Sequence, residues 1–214
     1  MKDIFNRIAP AWYNYRHWSI FRKELETIAA KWDGGRLLNI GCAHGPDFLP
    51  FKDNFELSGV DISDEMIILA EKYARKFGFT AELTVADARA LPFTDASFDW
   101  AISLAAYHHL LNRNDQLQAF LELRRVLKPG GQAFITVWNR CQPRFWFKGQ
   151  TVQVPWRAKA ETIYRGYYLF RYGELEGRLR QAGLKVLDSF PESMYRFPVK
   201  YFSRNICIIV ERQL

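Results

Sequence analysis

The sequence predicts an α/β domain built on a mostly parallel sheet, and three observations predict it. Between residues 36 and 138, short apolar runs of strand length alternate with amphipathic stretches of helix length. Such alternation builds βαβ units with right-handed crossovers. Asp33-Gly34-Gly35 marks a turn that sets this region off from the first 32 residues. A chain of 214 residues that is 49% hydrophobic can bury one sizeable core, so one domain is expected over 1–214.

Residues 1–32 read as an N-terminal arm of two short helices, broken at Pro10 and again at His17-Trp18-Ser19. Arg36–Ile40 reads as a first buried strand, and Pro46 suits the first turn of the helix expected after it. Phe55–Val60, Ala81–Ala86, Phe98–Leu104 and Gln132–Trp138 are the next four strands. Asp64–Phe77 is a helix because Ile67, Ile68, Ala70, Ala74 and Phe77 recur at helical spacing, with Ser63 as N-cap and Asp64 and Glu65 opposing the dipole. Asp115–Leu127 is another, stopped by Lys128-Pro129-Gly130-Gly131. Residues 139–171 lack clear periodicity and read as a substrate-side insertion. Regularity returns over 172–214 with a helix near Glu174–Gln181, a stop at Gly183, and strands at Lys185–Phe190 and Asn205–Glu211.

Charge divides the chain unevenly. Residues 1–139 carry 16 Lys+Arg against 17 Asp+Glu, while residues 140–214 carry 14 against 6, so a net charge of +7 splits as −1 and +8. Fourteen aromatic residues accompany those cations, a pairing that favours a polyanion with exposed bases. Ordinary core aromatics under a solvated basic face would give the same composition. Cys42, Cys141 and Cys207 stand far apart without CxxC or histidine spacing, so neither a zinc site nor a disulfide framework is expected. No apolar run approaches the roughly 18 residues of a membrane span, and Met1–Arg16 lacks a signal-peptide core. A cytoplasmic protein with no membrane contact is expected.

In an open parallel sheet, ligands bind beyond the carboxyl ends of the strands. The first strand ends in Gly41-Cys42-Ala43-His44-Gly45, where glycines allow tight turning and close approach, though the spacing is not GxGxxG. Asp61 ends the second strand, where its carboxylate can accept from two ribose hydroxyls. Asp87 ends the third, placed to meet an adenine amino group. Each acid alone is more often a cap or a surface residue; in register, they describe a nucleoside site.

The order NIGCAHG, VDIS, ADARALPF, SFDWAISLAAYHH and LKPGGQAFITVW over residues 36–138 resembles the successive motifs of class I S-adenosylmethionine-dependent methyltransferases. The resemblance implies a Rossmann-like, seven-stranded, mostly parallel sheet with helices on both faces and the last strand antiparallel. It implies that Gly41, Cys42, Ala43 and Gly45 pass the methionine end of the cofactor S-adenosyl-L-methionine. Asp61 and Ile62 would hold its ribose, Asp87 and Ala88 its adenine, and Leu104 its amino-acid part. Asn39 stands where the family often has an acid, and Ala43 where it often has glycine.

Phe5-Asn6-Arg7-Ile8-Ala9-Pro10 with Arg16, the pair His108-His109, Val154-Pro155-Trp156, and Tyr167-Tyr168-Leu169-Phe170 before Gly173-Glu174-Leu175 resemble the tRNA wobble-uridine carboxymethyl methyltransferases. That resemblance implies esterification of a carboxymethyl group in the anticodon loop of tRNA. It also implies a small zinc-binding activator protein docked on the edge strand Ala81–Val85. Arg16, His109 and Arg140 are the candidates to hold the carboxylate; His108, Trp138, Trp156, Tyr168, Arg144 and Lys148 are candidates for the rest of the substrate. A methyltransferase of a small carboxylic acid, phenol or quinone shares every cofactor residue. Neutralising Arg144, Lys148, Arg157 and Lys159 would separate the two, because only RNA binding needs those charges. A non-catalytic RNA-binding module with the same fold is the third reading.

Overall fold

The computed structural model describes residues 1–157 and 161–213; Lys159 lies outside the described residues. Seven strands form one sheet in the order β3-β2-β1-β4-β5-β9-β8. Here β1 is Gly35–Ile40, β2 Phe55–Asp61, β3 Glu82–Val85, β4 Phe98–Leu104, β5 Leu127–Trp138, β8 Leu184–Pro191 and β9 Asn205–Arg212. The pairs among β1 to β5 are parallel, whereas β9 runs antiparallel between β5 and β8. The expected sheet, with its antiparallel last strand, is what forms.

Alternation within each strand loads both faces of the sheet. Leu38, Ala101 and Ile135 join the core under α4 (Arg113–Val126) and α5 (Tyr172–Gln181), with Phe120, Leu123, Leu175 and Leu179. Leu37, Ile102 and Phe134 point to the opposite core, with Leu25 and Ile28 of α2 (Arg22–Ala29) and Ile67 of α3 (Asp64–Phe77). The Ser63 hydroxyl accepts the Met66 N–H at 3.1 Å to cap α3, and Asn112 caps α4 through Asp115 N–H at 2.8 Å. No helix among the described residues is long and apolar enough to cross a membrane.

Three expectations change. The arm does not break at Pro10: α1 runs unbroken over Lys2–Tyr15. Pro10 faces solvent, while Ile8 and Ala9 pack on Met66 of α3, and Asn6 donates to Asp64 at 2.8 Å, so docking outweighs the one hydrogen bond that proline removes. The helix expected after Pro46 is only a 3-10 turn, Pro46–Phe51, because Pro50 arrives before an α-turn can propagate. The stretch 139–171 holds a two-stranded antiparallel hairpin, β6 (Thr151–Arg157) and β7 (Thr162–Tyr168). Its inward row alternates as Val152, Val154, Trp156 and Ile163, Arg165, Tyr167. An arginine in the inner row, and Pro155 and Tyr164 in the outer one, blur the period-two contrast. Pro155 is tolerated because a two-stranded sheet is all edge.

Candidate active site

The strand order reverses between β1 and β4, and the crevice beyond their carboxyl ends opens into a cavity of about 680 Å³. Residues after β1, β2, β3 and β4 wall one side: Gly41 and Ala43, Asp61 and Ile62, Asp87 and Ala88, and Leu104. The other side is walled by α1, by the turn Tyr107–His109, by Trp138 at the end of β5, and by the hairpin residues Trp156, Arg165 and Tyr167.

The sheet side is held by its own main chain. Gly41 has φ +74°, and a Cβ there would stand 2.4 Å from the Ala106 Cβ, so only glycine lets these two strand ends meet. Gly41 and Cys42 both donate N–H to the Val60 carbonyl, at 2.8 and 2.9 Å. Ala43 (φ +47°) and Ala105 (φ +55°) sit in the left-handed region beside the cavity, strain that a loop keeps where it must present its backbone. Asp61 accepts Ala43 N–H and Ser63 N–H, each at 2.9 Å, which fixes its carboxylate; burial nonetheless raises its pKa. Asp87 is bound side-on by Arg89, with Nη2 to Oδ2 at 2.6 Å and Nε to Oδ1 at 3.0 Å, so that ion pair holds its pKa low. Part of the acceptor capacity expected for an adenine amino group is therefore already used.

Two of the loop residues do not reach the cavity wall. The Cys42 thiol is buried and pushed well up in pKa by desolvation, facing Gly59 in the core. Gly45, at φ +88°, closes the loop by donating to the Cys42 carbonyl at 2.9 Å.

On the opposite side, hydrogen bonding to the backbone sets both histidine tautomers. The His108 Nδ1 accepts the Trp138 N–H at 3.2 Å, which leaves the proton on Nε2. The His109 Nδ1 meets the Gly166 carbonyl at 3.1 Å and must donate, which leaves Nε2 as an acceptor. Burial pushes the His109 pKa down to about 4 and that of His108 well below the usual histidine value, so both rings are neutral. Tyr167 stacks between them and Trp138, its centroid 4.7 Å from His108 and 4.3 Å from Trp138.

Arg16 and Arg165 enter the cavity wall with buried Nε atoms that have no hydrogen-bond partner. The Arg16 guanidinium lies 4.6 Å from the Trp12 ring, and its carbonyl is bound by His44 Nε2 at 2.6 Å. Asp47 lies near Arg16, and burial lifts the Asp47 pKa to about 6. Tyr73 donates to the His17 carbonyl at 2.6 Å, so two core side chains pin the end of the arm over the loop.

Four of the expected residues, Tyr168, Arg140, Arg144 and Lys148, stand away from the cavity. Tyr168 packs in the core and its hydroxyl bonds Glu174 and Arg178; its neighbour Tyr167 takes the inward position because side chains alternate along β7. Arg140 follows β5 with its N–H tied to the Phe170 carbonyl at 2.7 Å, outside the cavity wall. Lys148 is exposed. Arg144 lies on the outer side of Trp138, 5.8 Å from that ring and 5.2 Å from Phe145. Arg165, Trp12 and Tyr167, which the sequence does not single out as substrate residues, complete the wall. The signal that finds the two hairpin residues is the alternation over 151–157 and 162–168.

Residues 38–135 match the protein family described as a methyltransferase domain. A protein of Encephalitozoon cuniculi, provisionally named a methyltransferase, is 31% identical over 86% of this chain and 85% of its own length. The tRNA (carboxymethyluridine(34)-5-O)-methyltransferase of Schizosaccharomyces pombe is 28% identical over 87% of this chain and 89% of its own. Human probable tRNA methyltransferase 9B is 33% identical over 81% of this chain, which spans only 35% of that relative. Among solved structures, an S-adenosylmethionine-dependent methyltransferase from Clostridium acetobutylicum superposes with a TM-score of 0.79 at 17% identity, covering 98% of this chain and 99% of that one. A chain of the Haloferax volcanii complex with the Trm112 methyltransferase activator does so with a TM-score of 0.73 at 19% identity, covering 100% and 97%. At such identities the superpositions establish the fold alone.

Proposed function

Because the chain belongs to the class I S-adenosylmethionine-dependent methyltransferase family, we propose that it esterifies the carboxymethyl group of a modified wobble uridine in tRNA, in the cytoplasm. The cofactor fits these residues. The Gly41 and Ala43 backbone lines the cavity, and Asp61, with two N–H groups already bound, keeps lone pairs for two ribose hydroxyls. Ile62, Ala88 and Leu104 give the apolar walls between which an adenine and a methionyl chain would lie. Bound S-adenosylmethionine supplies a methyl group on a positive sulfur; the acceptor oxygen bonds to that carbon while the carbon–sulfur electron pair stays with sulfur.

The observation that carries the acceptor assignment is the chemistry of the hairpin side: aromatic walls and two guanidiniums, Arg16 and Arg165, that line one cavity without an ion pair among the described residues. Flat aromatic walls suit a base, and unsatisfied cations suit an anion. A carboxylate is already ionised at neutral pH, so no residue has to remove a proton from it. Neutral His108 suits such an acceptor, since its Nε2–H can donate to an anion, while the His109 Nε2 lone pair can accept only from a donor elsewhere on the substrate. α1 and the hairpin wall the acceptor side against water, and alignment of the reacting atoms contributes on the order of 7–11 kcal/mol at best.

We further read residues 1–32 and 139–171 as the acceptor side of the domain and the free edge of β3 as the docking strand for a small zinc-binding activator. β3 is a short terminal strand of the sheet with Val85 43% exposed, which leaves main-chain groups for an added strand. The experiment is incubation with labelled cofactor and bulk tRNA, with and without a co-expressed activator, followed by nucleoside analysis. Label in an alkali-labile methyl ester of carboxymethyluridine is expected; label confined to small acids, or to a base-stable ring position, would overturn the assignment.

A further inference from the structure

We infer that Arg165 is the seat of the acceptor's free carboxylate, and that the aromatic box around it makes the site select an acid over its ester or amide. This deepens the proposed reading and rests on its carboxylate acceptor. Arg165 is 7% exposed. Its guanidinium carbon stands 5.6 Å from the centroid of Trp12, 5.3 Å from Trp156 and 5.3 Å from Tyr167, so three rings surround the cation. Its Nε has no hydrogen-bond partner, and no described carboxylate lies within ion-pair distance.

A guanidinium taken out of water ordinarily recovers the loss from a carboxylate. Here Arg16, a second cation, acts on it instead, which makes the burial more costly rather than less. Contacts with aromatic faces offset part of that, but they do not satisfy the buried Nε–H. An anion in the cavity would answer both deficits at once, by accepting that N–H and by lying between the two cations.

Arg16 is the weaker candidate for this seat. Asp47 already lies beside it, and the His44 bond to its carbonyl holds it against the Gly41 loop, on the side assigned to the cofactor. Arg165 is carried by β7, next to the Gly166 carbonyl that orients His109 and close to Tyr167 on the same face. The cation without a partner, the neutral histidines and the stacking ring therefore converge on one strand.

Selectivity follows from charge. Methylation turns an acceptor of charge −1 into a neutral ester, so the product loses the interaction that held the substrate. A structural role for the stack would stabilise the hairpin but would not distinguish acid from ester.

The test uses the intact protein saturated with S-adenosylhomocysteine and reads tryptophan fluorescence, since Trp12 and Trp156 border Arg165. Three nucleosides are titrated: 5-carboxymethyluridine, its methyl ester and uridine. Wild-type protein is expected to bind the acid at least about tenfold more tightly than the ester. Arg165→Gln is expected to abolish that ratio, and Arg165→Lys to restore part of it, while the affinity for S-adenosylhomocysteine stays unchanged in both. Equal binding of acid and ester by wild-type protein, or a ratio that survives in Arg165→Gln, would overturn the inference. The two readings fail separately. Acid selectivity lost with Arg165→Gln, in a protein that methylates no tRNA, removes the tRNA assignment and keeps this one. Normal tRNA methylation by Arg165→Gln at an unchanged KM does the reverse.

Discussion

Asp61, on the sheet side of the cavity, receives two main-chain N–H groups, whereas Arg165, on the hairpin side, has an Nε with no partner at all. The same contrast runs through the neighbours of each. Gly41, Cys42 and Gly45 close their loop through main-chain bonds of 2.8 to 2.9 Å, and Asp87 is gripped by Arg89. Across the cavity, Arg16 Nε, Trp156 Nε1 and Arg165 Nε are all buried without partners. Asn39 Nδ2 and Oδ1 and His44 Nδ1, behind the loop, also lack partners, so the sheet side is closed in its main chain and its two acids rather than in every side chain. That frame is preorganised, while the cations across the cavity are left for a ligand to finish. The sheet side should therefore be intolerant of added atoms, and the hairpin side should tolerate them unless they alter charge.

The largest expected effect tests the first half of that contrast. Gly41→Ala places a Cβ 2.4 Å from the Ala106 Cβ at φ +74°, where both the clash and the backbone conformation oppose it. Neither strand end can retreat, because β1 and β4 are paired in the middle of the sheet. A loss of roughly 3 kcal/mol or more is expected. Calorimetric unfolding should show it, together with loss of S-adenosylhomocysteine binding in the protein that remains folded. A variant with wild-type melting and binding would show that the sheet side is not closed in the way described.

Acidification comes next and weighs the two sides together. His44 and His109 are held near pKa 4 by burial, against about 6.5 in an unfolded chain, and burial lowers His108 as well. Between those values the unfolded chain binds more protons, so stability falls as pH drops from about 6.5 towards 4. His44 and His109, held neutral in this way, each contribute on the order of 3 kcal/mol. Asp47 and Asp61 oppose them: burial lifts the Asp47 pKa to about 6 and raises that of Asp61, so the folded state binds their protons first and gains as pH falls. Three histidines held down outweigh two carboxylates held up, and the melting temperature should decline between about pH 7 and 4.5. His44→Gln should flatten the decline and Asp47→Asn steepen it; a melting temperature that is flat or rising on acidification would contradict the buried neutral histidines.

How much of this was legible in the sequence follows the same division. Strong periodicity and local signals gave α3 its full span, Asp64–Phe77, with its Ser63 cap, and put β1, β2 and β4 within a residue of where they stand. Those elements are determined by local pattern and by burial on two faces. Gly41, Ala43, Asp61, Ile62, Asp87, Ala88 and Leu104 meet around one cavity because strand ends in a parallel sheet must converge. The hairpin was illegible for a physical reason: its inner row includes a charge, Arg165, that belongs there only if the cavity is to hold an anion. Hydropathy reads such a residue as solvent-facing. The pair Tyr167 and Tyr168 shows the related limit, since choosing which of two adjacent rings faces the cavity requires the strand register. Glu174 decides it, by binding the Tyr168 hydroxyl and Arg178 on the far side.

The smallest expected effect completes the comparison because it matches the largest in chemistry. Gly166→Ala also adds a Cβ to a glycine near the cavity, and that Cβ would stand 2.7 Å from Leu111 Cδ1. The distance is nearly as short as at Gly41, yet the consequence should differ. The atom met is the end of a flexible side chain that is 38% exposed, and Gly166 lies in β7 outside the left-handed region, where alanine is at ease. Leu111 can turn outward at a cost of about 0.5–1.5 kcal/mol for a less favoured rotamer, partly offset by the lower entropy of the unfolded alanine chain. The net change should stay below about 1 kcal/mol, with S-adenosylhomocysteine affinity intact. The Gly166 carbonyl would still orient His109, so acid-over-ester selectivity should persist as well. A destabilisation equal to that of Gly41→Ala would mean that the hairpin side is as fully packed as the sheet side, and the unpartnered guanidiniums would then need an explanation other than a site awaiting its ligand.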